Sequence, residues 1–139
     1  MEIRYALEKD LDYLLANDHH VRASVVRAKV ECAEIIVLTK DDNPIGWLRY
    51  GYFWDVFPFM NMLFLEEEYR GQGWGSRLIQ FWEQEMIAQG HDTVMTSSLS
   101  NERAQHLYRR LGYHDCGGMR WPEDTALEII FLKKLRTED

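Results

Sequence analysis

The segment from Glu66 to Leu78, EEEYRGQGWGSRL, constrains the fold more than any other, because it places three glycines at alternate positions before a helical pattern. The preceding apolar run, PFMNMLFLE, predicts a strand. The residues that follow carry apolar side chains at the spacing of one helix face, namely Leu78, Ile79, Trp82 and Met86. Glycine costs backbone entropy on folding, so this arrangement predicts a strand-turn-helix whose turn needs bare backbone.

Such a turn suits an anionic ligand. Backbone N–H groups at the start of a helix lack partners within the helix and point outward at the positive end of its dipole. Arg70 adds a full positive charge beside them. A nucleoside-triphosphate loop would need Lys-Ser/Thr after its glycines, whereas Ser76-Arg77 follows here, and a dinucleotide fingerprint needs a parallel βαβ context. A tight turn without a ligand is the remaining alternative.

The rest of the chain alternates strand and helix patterns. A strand is predicted over 1–5, and a helical region over 7–30 is interrupted at Asn17-Asp18. Further strands are predicted over 33–39, 45–54, about 58–66, 93–97, 113–121 and 127–135, with turns at Asp41–Pro44 and Pro122–Asp124. One helix ends at Gly90, and another has Asn101 as its N-cap and ends at Gly112. This order predicts one α/β domain over residues 1–139, with helices on both faces of a mixed sheet.

Composition narrows the functional class. The chain has 139 residues and a net charge of −7, which gives a nucleic-acid partner no basic surface to bind. Its apolar runs are shorter than the roughly 20 residues that cross a bilayer. The first ten residues lack the apolar stretch of a signal peptide, so we expect a cytoplasmic protein. Cys32 and Cys116 show no metal-type spacing, and we expect two reduced thiols and no metal.

Two motifs together resemble a known family. Leu65-x-x-x-Tyr69-Arg70-Gly71-x-Gly73-x-Gly75 resembles the strand-to-turn signature of the GCN5-related N-acetyltransferase (GNAT) superfamily. The downstream segment Asn101-x-x-Ala104-x-x-Leu107-Tyr108-x-x-Leu111-Gly112-Tyr113 resembles its second hallmark. The order of elements agrees over nearly the whole chain. The resemblance implies an α/β (α+β) fold with a mixed, mostly antiparallel sheet of about seven strands, about four flanking helices, and splayed strands 4 and 5.

The resemblance also implies roles for particular residues. Backbone amides of residues 72–76 would bind the pyrophosphate of acetyl-coenzyme A, and main-chain groups of Leu63 and Leu65 would pair with its pantetheine arm. The Leu65 amide would polarise the thioester carbonyl, Asn101 would bind the cofactor, and Tyr108 would protonate the departing thiolate. The implied cofactor-binding set is Leu63, Leu65, Arg70, Gly71, Gln72, Gly73, Trp74, Gly75, Ser76, Asn101 and Tyr108, with Tyr108 and Leu65 as its catalytic members.

The function implied is transfer of an acetyl group from acetyl-CoA to a primary amine by direct attack in a ternary complex. A fixed N–H donor stabilises the oxyanion by roughly 2.7–4 kcal/mol in comparable sites, and a phenol can protonate a thiolate. Two alternatives stay open: a catalytically silent acyl-CoA-binding sensor, and an acetyltransferase acting on protein N-termini or lysines. The acceptor is not identified by the sequence.

The general base is where the sequence departs from better-defined relatives. Some of these carry a glutamate early in the fourth strand, where this chain has Phe59-Met60-Asn61-Met62. An amine with a pKa near 10 must lose a proton before it attacks. Asp55, Glu66 or a water on a backbone carbonyl are candidate acceptors of that proton. His19 and His20 lie in the region that often walls the acceptor site, although a surface pair is the simpler interpretation.

The segment from Trp47 to Phe59 contains seven aromatic residues, counting both ends. Alternation in a strand places Trp47 and Phe53 on one face, and Tyr50, Tyr52 and Trp54 on the other. One face belongs to the core, and the other is expected to line an acceptor pocket or a homodimer contact. Arg49 is expected to face solvent, with an acceptor carboxylate as the alternative partner. Tyr108 shares a helix face with apolar residues, so a purely structural role in the core is also open.

Overall fold

A computed structural model describes residues 1–123 and 126–136 of the chain. In this part, the order of elements is the predicted one. The strands are β1 Glu2–Tyr5, β2 Ile35–Lys40, β3 Asn43–Phe53, β4 Phe57–Leu65, β5 Thr93–Leu99, β6 His114–Met119 and β7 Glu128–Lys134. The α-helices are α1 Leu11–Asn17, α2 Ala23–Glu31, α3 Trp74–Ala88 and α4 Ala104–Arg110. Short 3₁₀ helices cover Glu8–Asp10 and Glu67–Tyr69. Asp124 of the predicted last turn lies outside the described residues.

The seven strands form one mixed sheet in the order β1-β2-β3-β4-β5-β7-β6. The β1–β2, β2–β3, β5–β7 and β6–β7 pairs are antiparallel, whereas β4 and β5 run parallel. The parallel ladder pairs Phe59 with Met95 and Met60 with Thr96. The predicted mixed, mostly antiparallel sheet with four helices is therefore confirmed. In the described part of the chain, no helix is long and apolar enough to cross a membrane.

The chain divides into two compact units, of which the first contains residues 1–50 and 62–82. One face of its strands packs on α1 and α2 in a cluster of buried residues, namely Ala6, Leu14, Val26, Ile35, Val37 and Trp47. The other face packs on α3, where Tyr50 lies 5.8 Å from Trp82 between ring centroids. Tyr5 contacts Phe81 of the same helix at 6.2 Å. Both faces of β3 are therefore buried near Tyr50, because each is covered by helices.

Arg49 corrects an expectation. The residue is 4% exposed, and its Nε donates to Oδ2 of Asp18 at 2.7 Å. Asp18 follows the last residue of α1 and is itself 3% exposed. The expected solvent-facing charge is thus half of a buried ion pair, because the carboxylate at the end of α1 supplies its partner within the first unit.

Turn geometry gives a second correction. The predicted turn at Asp41–Pro44 is shorter in the structure, since Asp41 and Asp42 alone have positive φ, of 51° and 64°, and β3 begins at Asn43. The β3–β4 turn is also formed by two residues with positive φ, Trp54 at 55° and Asp55 at 60°. Hairpin turns with two such residues match the twist of the strands that they join.

The second unit contains residues 51–61 and the described residues from 83 to 136. Helix α4 places Tyr108 against Phe131 of β7, with ring centroids 5.8 Å apart. Tyr113 donates a hydrogen bond to Oε2 of Glu83 at 2.7 Å, and Lys133 donates to Oε1 of the same carboxylate at 2.9 Å. This buried network joins residues of α3 to the sheet within the second unit.

Candidate active site

The glycine turn has the conformation that the sequence indicates at two of its three glycines. Gly71 has φ of 72° and Gly73 has φ of 90°, values that side-chain-bearing residues rarely adopt. A Cβ added at either position would meet no heavy atom within 4 Å beyond its chain neighbours. Gly75 lies inside α3, which begins at Trp74. The prediction of bare, accessible backbone is therefore confirmed at Gly71 and Gly73.

The first turn of α3 leaves several N–H groups without a partner in the helix. The Arg77 N–H donates to the Gly73 carbonyl at 3.2 Å and opens the i to i−4 ladder. The N–H groups of residues 73–76 precede this bond, so they are the helix's orphan donors. At the positive end of the helix dipole these donors attract negative charge.

Arg70 is exposed and fixed beside this turn. Its Nε donates to the Leu65 carbonyl at 2.8 Å, and its guanidinium lies 5.4 Å from the Phe64 ring centroid. These contacts tie the turn to the last residue of β4. The positive charge predicted at the rim of the turn is therefore held in place by the strand that precedes it.

The end of β4 presents main-chain groups at one edge. The Glu66 N–H donates to the Ile45 carbonyl of β3 at 2.9 Å. Successive residues of a strand direct their N–H and C=O groups to opposite edges. The main-chain groups of Leu65, and those of Leu63 two residues before it, therefore point to the edge away from β3. The bond from Arg70 to the Leu65 carbonyl lies on that outward edge.

Asn101 is not the N-cap of α4, which corrects the sequence prediction. The helix begins at Ala104, and Arg103 in the cap position already has helical backbone angles and makes no side-chain cap bond. The side chain of Gln105, which is 8% exposed, instead donates to the carbonyls of Ser100 at 2.8 Å and Glu102 at 2.7 Å. Asn101 lies in the exposed turn that these bonds stabilise.

Tyr108 is buried, at 5% exposure, and its hydroxyl lies beside Thr96. Burial raises its pKa to about 12, a hydrogen bond with Thr96 opposes this, and the nearby carboxylates of Glu102 and Glu128 add to the rise. The Thr96 hydroxyl donates to the Met60 carbonyl at 2.9 Å. Tyr108 thus packs as a core aromatic while its hydroxyl, protonated at neutral pH, lies near the last pair of the β4–β5 ladder.

A cavity of about 320 Å³ opens in the second unit. Its apolar walls are Tyr52, Phe53, Phe59, Met119, Trp121 and Ile130, and its polar lining residues are Asn61, Ser97 and Glu128. Trp121 Nε1 lies 3.4 Å from Oε1 of Glu128 and donates to it. Tyr52 and Phe53 of β3 both line the cavity, although alternation had placed them on opposite faces of the strand. Met119, Trp121 and Glu128 were not singled out by the sequence. The sequence predicts only that Glu128 and Ile130, two residues apart in β7, place their side chains on the same face of the strand.

The candidate bases and histidines named from the sequence lie apart from this cavity's lining. Asp55 is exposed at the tip of the β3–β4 turn. Glu66 is half-buried and accepts a hydrogen bond from Tyr13 at 2.7 Å, and burial together with this carboxylate raises the pKa of Tyr13. His19 and His20 are exposed. Among the described residues, no group of three or more His, Cys, Asp or Glu side chains could hold a metal ion.

Comparisons with known proteins identify the fold. A family model described as an acetyltransferase (GNAT) domain matches residues 31–115. Comparison with curated proteins gave no significant match. A GNAT-family acetyltransferase from Bacillus cereus ATCC 10987 shares 20% identity over 97% of both chains, with a TM-score of 0.78.

Two further solved structures are similar over their full length. The ribosomal-protein-S18-alanine N-acetyltransferase from Escherichia coli shares 17% identity over 99% of this chain and 96% of that one, with a TM-score of 0.80. An aminoglycoside 6′-N-acetyltransferase complexed with coenzyme A shares 16% identity over 100% and 99% of the two chains, with a TM-score of 0.81. At these identities, the structures show a shared fold.

Proposed function

The chain belongs to the acetyltransferase (GNAT) domain family, and on this premise we propose that it transfers the acetyl group of acetyl-CoA to a primary amine. The observation that carries the proposal is the turn at Gly71 and Gly73, whose positive φ angles and open surroundings leave the backbone accessible. The aminoglycoside acetyltransferase with the same fold is complexed with coenzyme A. Acetyl-CoA is therefore the proposed acyl donor.

The pyrophosphate would bind at the start of α3. The amides of Gln72, Gly73, Trp74, Gly75 and Ser76 would donate to its oxygens, and Arg70 would add charge at the rim. Charge-assisted hydrogen bonds of this kind are worth about 1.5–3 kcal/mol each. The absence of a Cβ at Gly71 and Gly73 supports this role, because a phosphate must approach the amides closely.

The pantetheine arm would pair with the outward edge of β4. The main-chain groups of Leu63 and Leu65 that point away from β3 support this role, since they are not used by the β3 ladder. The Leu65 N–H would also donate to the thioester oxygen as negative charge develops on it. Asn101 would contact the cofactor from the exposed turn before α4, not from a capping position.

The chemistry would be a direct attack of the amine on the thioester carbonyl. The C–S bond then breaks, and Tyr108 would give its proton to the departing thiolate. Its raised pKa keeps the hydroxyl protonated at neutral pH, which a proton donor requires. Holding both substrates in one complex supplies much of the rate without an enzyme nucleophile.

Binding and turnover test the proposal separately. Acetyl-CoA at 100 times its dissociation constant should stabilise the folded protein by about 2.7 kcal/mol, which thermal unfolding would detect. Release of free thiol from acetyl-CoA should then depend on an added amine. Binding without thiol release from any amine or peptide would favour the silent sensor, whereas release with peptides alone would favour a protein acetyltransferase. Absence of binding would overturn the proposal.

A further inference from the structure

The cavity of the second unit lies where the β4–β5 ladder ends. The last described pair of that ladder is Met60 with Thr96. The next residue of each strand, Asn61 and Ser97, lines the cavity. The cavity therefore begins one residue beyond Thr96, whose side chain lies beside the Tyr108 hydroxyl.

The cavity and Tyr108 lie on opposite faces of the same strands. The β5–β7 register pairs Thr96 with Phe131 and Ser97 with Ile130. Phe131 contacts the Tyr108 ring, whereas Ser97 and Ile130 line the cavity. Because successive strand residues face opposite sides, a molecule in the cavity would reach the end of the ladder from the side opposite α4.

In the described part of the chain, the residues that line the cavity include one carboxylate and otherwise apolar or neutral side chains. No Lys, Arg or His belongs to the lining among the described residues. Glu128 is half-buried, and one of its oxygens accepts the bond from Trp121 Nε1. Its other oxygen makes no hydrogen bond with a described residue. Such a carboxylate, set among aromatic rings, favours a ligand with one positive charge on an apolar body.

We infer that this cavity binds the acceptor, and that the acceptor is a small arylalkylamine, with one ammonium group a short alkyl chain away from an aromatic ring. The inference rests on the proposed acetyl transfer. The Glu128 carboxylate binds the ammonium, and the aromatic walls bind the ring. A cavity of about 320 Å³ lies at the lower end of the range for small-molecule sites, which fits a single-ring or indole amine. Polyamines and aminoglycosides fit less well, because a second ammonium finds no second carboxylate in the described lining.

The proton balance gives Glu128 a second role. The ammonium loses one proton to the Glu128 carboxylate, which passes it to solvent. The free amine then attacks the thioester carbon, and an N–C bond forms. As the C–S bond breaks, the thiolate takes the Tyr108 proton, and the second proton lost by the nitrogen restores the Tyr108 hydroxyl. The net products are the amide, free coenzyme A and one proton.

A panel of amines tests the acceptor class. Thiol release with phenethylamine and tryptamine should exceed release with spermidine, kanamycin and a tripeptide with a phenylalanine N-terminus by at least tenfold in kcat/KM. Acetyl-CoA binding is measured in parallel by calorimetry. If acetyl-CoA binds and spermidine, kanamycin or the tripeptide is preferred, the acceptor class is wrong while the proposed function stands. If acetyl-CoA does not bind, the proposed function fails and the acceptor assignment fails with it.

Two matched carboxylate variants test Glu128 itself. Glu102 also raises the pKa of Tyr108, but it does not line the cavity. Glu128→Gln should lower kcat/KM for phenethylamine about 10- to 100-fold and leave the acetyl-CoA dissociation constant unchanged. Glu102→Gln should change kcat/KM less than threefold. Equal losses of kcat/KM in both variants would assign the effect to the influence of the two carboxylates on the pKa of Tyr108. That result would overturn the role of Glu128 as the ammonium-binding group.

Calorimetric titration of phenethylamine into the CoA-saturated protein gives a readout independent of turnover. The wild type should bind the amine, and Glu128→Gln should bind it at least tenfold more weakly. Equal binding by the two proteins would contradict the assignment. Circular dichroism and thermal unfolding of each variant show whether it is folded. If Glu128→Gln does not fold, Trp121→Ala replaces it, with the same expected loss of amine binding and unchanged acetyl-CoA binding.

Discussion

Gly73 and Gly90 offer a matched pair that separates backbone strain from ligand binding. Gly73 has φ of 90° and Gly90 has φ of 92°, and a Cβ at either position would meet no heavy atom within 4 Å. An L-residue in the left-handed region costs roughly 1–2 kcal/mol. We expect Gly73→Ala and Gly90→Ala to lose similar unfolding free energies, and each to lower Tm by roughly 3–8 °C.

Of the two variants, we expect only Gly73→Ala to weaken the binding of acetyl-CoA. In the proposed site, the new methyl group at Gly73 would occupy the space that a phosphate needs to reach the amides at the start of α3. Loss of one charge-assisted hydrogen bond, worth about 1.5–3 kcal/mol, weakens binding roughly tenfold to hundredfold. Gly90 follows the end of α3, at the opposite terminus from these amides. We therefore expect Gly90→Ala to bind acetyl-CoA as the wild type does.

Urea denaturation and calorimetry at a temperature where both variants are folded provide the two measurements. The reasoning is refuted if Gly73→Ala binds acetyl-CoA with wild-type affinity, because the accessible backbone would then have no part in binding. It is also refuted if both variants lose affinity equally, since the effect would then follow from strain alone. A difference in unfolding free energy of more than about 1 kcal/mol between them would contradict the strain estimate.

Three further predictions concern buried polar side chains. Tyr108→Phe should lower turnover about 100-fold or more without changing acetyl-CoA affinity. Tyr113→Phe should mainly lower the unfolding free energy, by about 1.5–3 kcal/mol, because its hydrogen bond to a carboxylate is lost. Thiol release and urea denaturation distinguish the two variants, and equal effects on turnover would show that Tyr108 takes no part in the chemistry. Asp18→Asn should lower the unfolding free energy by about 3–5 kcal/mol, because Arg49 is left buried without its partner. The double variant Asp18→Asn with Arg49→Met should recover part of this free energy, as measured by urea denaturation. Additive losses would argue against the ion pair. Because the pKa of Tyr108 is raised to about 12 from near 10, its contribution to stability should be complete below pH 10 and be lost as the pH rises towards 12, on the order of 2 kcal/mol. The pKa values of Tyr13 and Tyr113 are also raised, so Tyr108→Phe should still lose stability over this range, but by about 2 kcal/mol less than the wild type in urea denaturation.

The sequence patterns predicted the helices, strands and turns because residues close together in the chain determine where each of these begins and ends. The positive φ of Gly71 and Gly73 follows from a strand that must turn sharply into a helix, and glycine adopts that backbone at little steric cost. The break between α1 and α2 follows from Asn17 and Asp18, residues that favour helix ends. The family resemblance implied a mixed sheet with splayed strands 4 and 5, but the strand order and the parallel β4–β5 pair were not predicted, since neighbouring elements alone do not fix which strands pair.

Two predictions failed because a side chain outside the predicted motif determines the observed structure. Asn101 has the right side chain for an N-cap, yet Gln105 bonds the carbonyls of Ser100 and Glu102 from within the helix and fixes a different start. A cap prediction considers the residues before a helix and does not consider a buried side chain that reaches back. Arg49 in β3 gives no local sign of burial, because its partner Asp18 is contributed by another element.

The role proposed for Glu128 in the cavity likewise could not be predicted from the residues near it in the sequence. As the first residue of β7 it resembles an ordinary charged strand end. The register pairs it with Leu99 on one side and with Met119 on the other, and Trp121 reaches its carboxylate from beyond the end of β6. A carboxylate becomes a recognition group when apolar neighbours leave it few other partners, and those neighbours come from separate strands. The proposed acceptor class therefore depends on the strand register, which cannot be read from the glycine and Tyr108 motifs.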